Sequence, residues 1–213
     1  YMKGAMGSIT QALSRIAEKR GVQIRLGADV EQIVVKDGRA TGVALTSGEE
    51  IEANVVLSNA DPKRTYLTLV DDSDVPADYR KAIDAIKIES PVMKINMAVN
   101  ELPWFKALGD DAQRQRDGST GGLFIAPSID YMQKAYEDAR QGKPSEKPFM
   151  NIHMQSAVDP SVAPPGKHTI SIFTQYFPYE LGEGTWDERR DEIANHVIRE
   201  FADYAPNIPD QIV

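Results

Sequence analysis

Val92-Met93-Lys94-Ile95-Asn96-Met97-Ala98-Val99 decides the architecture, because Met93, Ile95, Met97 and Val99 recur at every second position and share one face of an extended strand. Two more alternating stretches, 149–156 and 169–177, and a shorter one at 122–126, predict three companion strands. Ser128 is placed to cap a helix reaching about residue 141, which Gly142 closes. Thr185-x-x-Glu188 is a capping box, and the helix it opens stops before Pro206 with Ile193, Val197 and Phe201 as its buried stripe. Asp159-Pro160 and Pro164-Pro165-Gly166 make a stiff turn region, and the polar run 110–122 reads as an exposed loop. The expected class is therefore α+β, a mixed or antiparallel sheet with helices covering one face. At the far end, Asp210-Gln211-Ile212 reads as the start of a strand.

Toward the N-terminus the pattern is different. Ser8-x-x-Gln11 forms a capping box, Ile9, Leu13 and Ile16 follow at helical spacing, and Gly21 ends a helix over 9–20. Val22, Ile24 and Leu26 alternate as a short strand. Val30 to Val35 and Ala40 to Thr46 flank Lys36-Asp37-Gly38-Arg39, where Asp-Gly signals a hairpin. After a turn at Ser47-Gly48, another strand ends in Val55-Val56-Leu57. Asp61-Pro62 breaks the pattern, and a helix is predicted over 76–86 with Pro76 in its first turn. The apolar faces of residues 9–58 are too small to close a core alone, so this part reads as a piece of a larger sheet. Neither end carries a composition change marking a natural terminus, and the chain reads as cut at both ends. Gly4-Ala5-Met6-Gly7-Ser8 resembles a cloning scar, but Tyr1-Met2-Lys3 precedes it and Ser8 suits a helix cap, which favours native sequence.

Composition excludes several functions. With 24 basic against 32 acidic side chains and a net charge of -8, the chain lacks the clustered cations that displace counterions from nucleic acid, and its acidity opposes anionic lipid. Absence of cysteine removes disulfides, thiolate nucleophiles and thiolate metal sites. No apolar run reaches the ~20 residues of a transmembrane helix and no signal peptide opens the sequence, so a soluble, cytoplasmic protein is expected. No G-x-G-x-x-G, P-loop, G-x-S-x-G or H-E-x-x-H occurs. His153, His168 and His196 are scattered, which favours structural or surface roles over metal ligation.

Lys3-Gly4-Ala5-Met6-Gly7-Ser8-Ile9 resembles the K-G-G-M-G segment of phytoene-desaturase-like FAD-dependent oxidoreductases. Gly21-Val22-Gln23-Ile24, Val30-Glu31-Gln32-Ile33 and Val55-Val56-Leu57-Ser58-Asn59-Ala60-Asp61-Pro62 follow in that family's order. Ser90-Pro91-Val92-Met93-Lys94-Ile95-Asn96, Pro164-Pro165-Gly166-Lys167-His168 and Phe173-Thr174-Gln175-Tyr176-Phe177-Pro178-Tyr179 are similar to the branch called pyridine nucleotide-disulphide oxidoreductase domain-containing protein 2.

The resemblance implies a flavoenzyme whose middle is this chain: residues 1–65 belonging to the FAD-binding domain and 66–213 to a substrate-binding domain. It implies that the main chain of Val30 meets the adenine, that Asn59 and Ala60 line the cofactor, and that residues 4–7, including Gly4 and Met6, lie where flavin meets substrate. Phe173, Gln175, Tyr176 and Tyr179 would wall a cavity for an apolar small molecule; an alternating strand packs half its residues into a core in any case. No catalytic acid or base is implied here. Ala5 replaces the family's usual glycine, and its methyl interferes wherever the backbone has to approach a ring. FAD is expected in the longer protein and poorly bound, if at all, by these residues alone, because no pyrophosphate fingerprint is present. The competing reading is a non-catalytic binding or regulatory module without a cofactor of its own.

Overall fold

A computed structural model describes residues 2–213, leaving Tyr1 outside the described residues. The chain gathers into two compact units, residues 16–88 and residues 2–15 with 89–213. Helix α1 (Gly7–Lys19) starts before the expected capping box. Ser8 does not cap it: its hydroxyl donates backwards to the Ala5 carbonyl (2.7 Å) from inside the first turn. The Ile9, Leu13 and Ile16 stripe is present but exposed, and α1 buries none of its residues.

Within residues 16–88, β1 (Val30–Lys36), β2 (Arg39–Leu45) and β3 (Glu50–Glu52) form an antiparallel sheet in the order β1-β2-β3. The hairpin turn takes left-handed backbone at both Asp37 (φ 51°) and Gly38 (φ 72°), which twists the chain in the sense the paired strands need. Two expected strands do not form. Residues 22–26 are irregular, with Leu26 fully displayed, and β3 ends at Glu52, leaving 55–57 outside any ladder. Alternation records which side chains are apolar, but a strand also requires a neighbour for its N–H and C=O groups. Among the described residues neither segment has one. The Asp61 carboxylate caps α2 (Pro62–Arg64) by accepting from the Arg64 N–H (3.0 Å), and the chain continues through a π-turn at Thr65–Leu69 to α3 (Ala77–Asp84).

Residues 89–213 contain the larger sheet, with β4 (Val92–Val99), β5 (Gly122–Ile125), β6 (Phe149–His153) and β7 (His168–Gln175) antiparallel in the order β4-β7-β6-β5. The α+β expectation is met. Residues 112–119 correct the predicted loop, because they form α4 (Ala112–Ser119), where Asp111 accepts from the N–H groups of Gln113 and Arg114. Its buried Gln115 bonds both main-chain groups of Phe105 and the Gly109 carbonyl, a tertiary reward that polarity alone does not announce. Helix α5 (Ile129–Arg140) is capped by Ser128, and α6 (Gln155–Val158) replaces the expected last residues of β6. Helix α7 (Trp186–Ala202) has the predicted capping box, and Ile193, Val197 and Phe201 are buried.

One sheet face supplies Met97, Val99, Ile125, Met150, Ile152, Ile170 and Ile172, which join that α7 stripe, Phe105 and Phe177 in a single core. Each such side chain contributes about 1.5–3 kcal/mol by leaving water. The end of the chain is a 3-10 turn, Ile208–Gln211, followed by one bridge from Ile212 to Val99, instead of a strand from Asp210.

Phe201 has no exposed surface and Ile129 is 84% exposed. Urea unfolding is expected to lose about 3–5 kcal/mol in Phe201→Ala and to change by less than about 0.5 kcal/mol in Ile129→Ala.

Candidate functional site

Strand alternation that buries one face of the larger sheet turns a different set of side chains to the other. The register places Lys94, Phe173, Asn151 and Phe124 in one row across the strands, and Asn96, Ser171, His153 and Gly122 in the next. Ser171 Oγ donates to Asn96 Oδ1 (2.9 Å), tying neighbouring strands. Phe124 stacks on Phe149 with ring centroids 6.0 Å apart. The side-chain oxygen of Asn151 is buried and accepts no hydrogen bond, an uncompensated polar atom on this face.

Against this face lies a cavity of about 1040 Å³. Lys94, Asn96, Ala98, His153, Thr169 and Ser171 border it from the strands, and Met2, Ala5, Met6 and Gly7 from the N-terminal segment. Most of its surface is apolar, with Ala98 and Val162 adding to Met2 and Met6. This is the size and character of a small-molecule site.

The N-terminal wall is held by Asp159. Gly4 (φ 82°) and Ala5 (φ 59°) are consecutive left-handed residues, and the Gly4 N–H donates to Asp159 Oδ2 (2.5 Å) across 155 positions. Asp159 Oδ1 accepts from the Ser161 hydroxyl (2.6 Å) and N–H (3.0 Å). The Ser161 hydroxyl, then the Gly4 and Ser161 amides, hold this buried carboxyl below the usual carboxylate range. With both oxygens engaged, Asp159 is a latch and is poorly placed to act as a base. The sequence marked Asp159 only as part of a turn; its capping of Ser161 follows from the local Asp-Pro-Ser order, whereas its bond to Gly4 had no local signal. The left-handed Ala5 carries a strain that a glycine would avoid.

The residues singled out from the sequence scatter across the structure. Met6 borders the cavity and Gly4 is latched beside it. Phe173 lies on the same sheet face, and Gln175 follows it two positions on, opposite Val92 and Phe149. Tyr176 and Tyr179 leave the sheet and do not border the cavity: the Tyr176 ring meets Tyr136 of α5 edge-on (5.5 Å), its main chain is held by Ser145, and the Tyr179 carbonyl accepts from Trp186 Nε1. Val30 opens β1 opposite Leu45, while Asn59 and Ala60 precede α2. Ala60 borders a separate groove of about 470 Å³ that Val30 and Asn59 do not reach. His168 Nδ1 pairs with Ser156 (3.2 Å) and His196 Nε2 with the Glu146 carbonyl (2.7 Å). Among the described residues there is no metal-ligating cluster, and no helix is long and apolar enough to cross a membrane.

Residues 1–213 match the family described as flavin containing amine oxidoreductase. The chain belongs to that family. It is 37% identical over 220 residues to the mouse pyridine nucleotide-disulfide oxidoreductase domain-containing protein 2, with 100% of the chain and 38% of the mouse protein covered. A neurosporene-forming phytoene desaturase of Rhodobacter capsulatus is 27% identical over 82% of the chain and 31% of its own length. The chain thus spans well under half the length of the curated relatives it matches. A solved oxidoreductase from Methanosarcina mazei shares the fold, with a TM-score of 0.64, 20% identity, and coverage of 97% of this chain and 40% of that one. The family match and the phytoene desaturase relative agree with the resemblance carried by residues 3–13 and 55–62.

Because Asp159 has a lower pKa when folded than the roughly 3.9 of an unfolded aspartate, its contribution is complete above that value and disappears as pH falls through the folded one. Amide exchange at Gly4 is therefore expected to be slow at neutral pH and fast in Asp159→Asn, the difference vanishing in strong acid. Ala5→Gly is expected to raise stability by about 0.5 kcal/mol in thermal unfolding.

Proposed function

We propose that this chain is the substrate-bearing and part of the flavin-bearing portion of an FAD-dependent oxidoreductase, which oxidises an apolar small molecule by transferring hydride to the flavin. The observation that carries this reading is the largely apolar cavity built from the open sheet face and the N-terminal segment. Residues 66–213 serve as most of the substrate domain and 1–65 complete the flavin domain.

The chain's own features suit that assignment. β1 is the outer strand of its sheet, so some of its main-chain groups point away from β2, and Val30 begins that edge where an adenine needs backbone partners. Asn59 and Ala60 stand in irregular backbone before α2, suited to lining a cofactor. FAD, when bound, supplies the electron-accepting chemistry. Met6 borders the substrate cavity, Gly4 is latched beside it, and Phe173 and Gln175 extend the face. These residues orient the substrate and exclude water; with Asp159 committed to its latch, no proton transfer is assigned to this chain. The phytoene desaturase among the relatives supports an apolar substrate.

Expressed with the flanking sequence of its gene, the protein is expected to purify yellow and to bleach when substrate is added without oxygen. A folded, colourless protein that takes up no FAD overturns the proposal.

A further inference from the structure

The cavity has an electrostatic character that its apolar lining conceals. Lys94 borders it and makes no ion pair, since the ion pairs among the described residues belong to Arg25, Lys63, Arg80, Lys134, Arg189 and Arg190. The cavity's carboxylate, that of Asp159, is already occupied by Ser161 and Gly4. Two positions along β4 on the same face, Asn96 turns its oxygen to the Ser171 hydroxyl, which leaves its NH₂ group as a donor with no partner of its own. An ammonium and an amide donor therefore stand side by side at the edge of a greasy space, and among the described residues the ammonium is in no ion pair.

We infer that the ligand of this face is an amphiphile, an extended apolar body ending in a carboxylate that Lys94 Nζ and Asn96 Nδ2 receive. A wholly hydrocarbon ligand leaves both donors without an acceptor, and a cationic amine meets the like charge of Lys94 while the Asp159 oxygens face Gly4 and Ser161. A charged acceptor gains from both donors together. The inference rests on the open face being the substrate wall and adds the chemistry of one substrate end.

Parinaric acid, a long-chain polyene carboxylate that fluoresces in apolar surroundings, and its methyl ester separate the two claims when titrated against the 213-residue chain. The acid is expected to bind about tenfold more tightly than the ester at neutral pH. In Lys94→Met the two are expected to agree within about twofold with ester binding unchanged, whereas Lys94→Arg and the distant Lys134→Met keep the preference. Equal binding of acid and ester by the unaltered chain, or a preference that survives Lys94→Met, overturns the carboxylate and leaves the apolar cavity standing. Binding of neither probe overturns both, while the flavin test stands or falls separately.

Discussion

Side chains of a β-strand alternate strictly between two faces, and this constraint organises residues 89–213. Once Met97, Ile152, Ile170 and Ile172 are committed to the core with Val197 and Phe201, their sequence neighbours have to appear on the opposite side. Asn96, Asn151, Ser171 and Phe173 are those neighbours, and the antiparallel register lines them into rows. The candidate site is thus the obligatory reverse of the hydrophobic core. A one-residue slip of any strand would expose isoleucines and methionines to water while burying the asparagines, so one register satisfies both faces.

Charge at the cavity follows local bookkeeping and not the balance of the whole chain. The net charge of -8 suggests an acidic surface, yet the acid that borders the cavity has its oxygens turned to the Gly4 amide and to Ser161. Gly4 and Ala5 adopt consecutive left-handed conformations, the Gly4 amide meets Asp159, and Met2, Ala5, Met6 and Gly7 border the cavity. Ala5 accepts a conformation that glycine adopts more cheaply, and the strain is set against the bond it permits. Lys94 borders the same space without an ion pair, and neighbouring Asn96 adds an amide donor to it.

Much of the fold could be read before the structure. Thr185 and Glu188 mark the start of α7, Ser128 that of α5, and Asp37-Gly38 the hairpin, because each relies on groups within a few positions. The resemblance around Gly4, Asn59 and Phe173 likewise pointed to the flavin family that the whole chain matches. The failures share a cause. Residues 22–26 and 55–57 have strand alternation without a partner; residues 112–119 look like a polar loop because the reward for the helix, the bonds of Gln115 to Phe105 and Gly109, comes from a preceding loop. Ser8 has the composition of a cap, but the helix begins at Gly7, so Ser8 lies inside the first turn and its hydroxyl donates to the Ala5 carbonyl.

By itself the amino-acid order determined the periodicity of each segment, the caps of its main helices and the α+β class, all properties set by bonds and contacts along a short stretch of chain. Tertiary structure alone decided that Gly4 meets Asp159, that Lys94 and Asn96 share a cavity with Met6, and that Tyr176 and Tyr179 do not. Those outcomes depend on groups up to 155 positions apart coming together, and on a polar group's partner being fixed by whatever the completed fold places next to it.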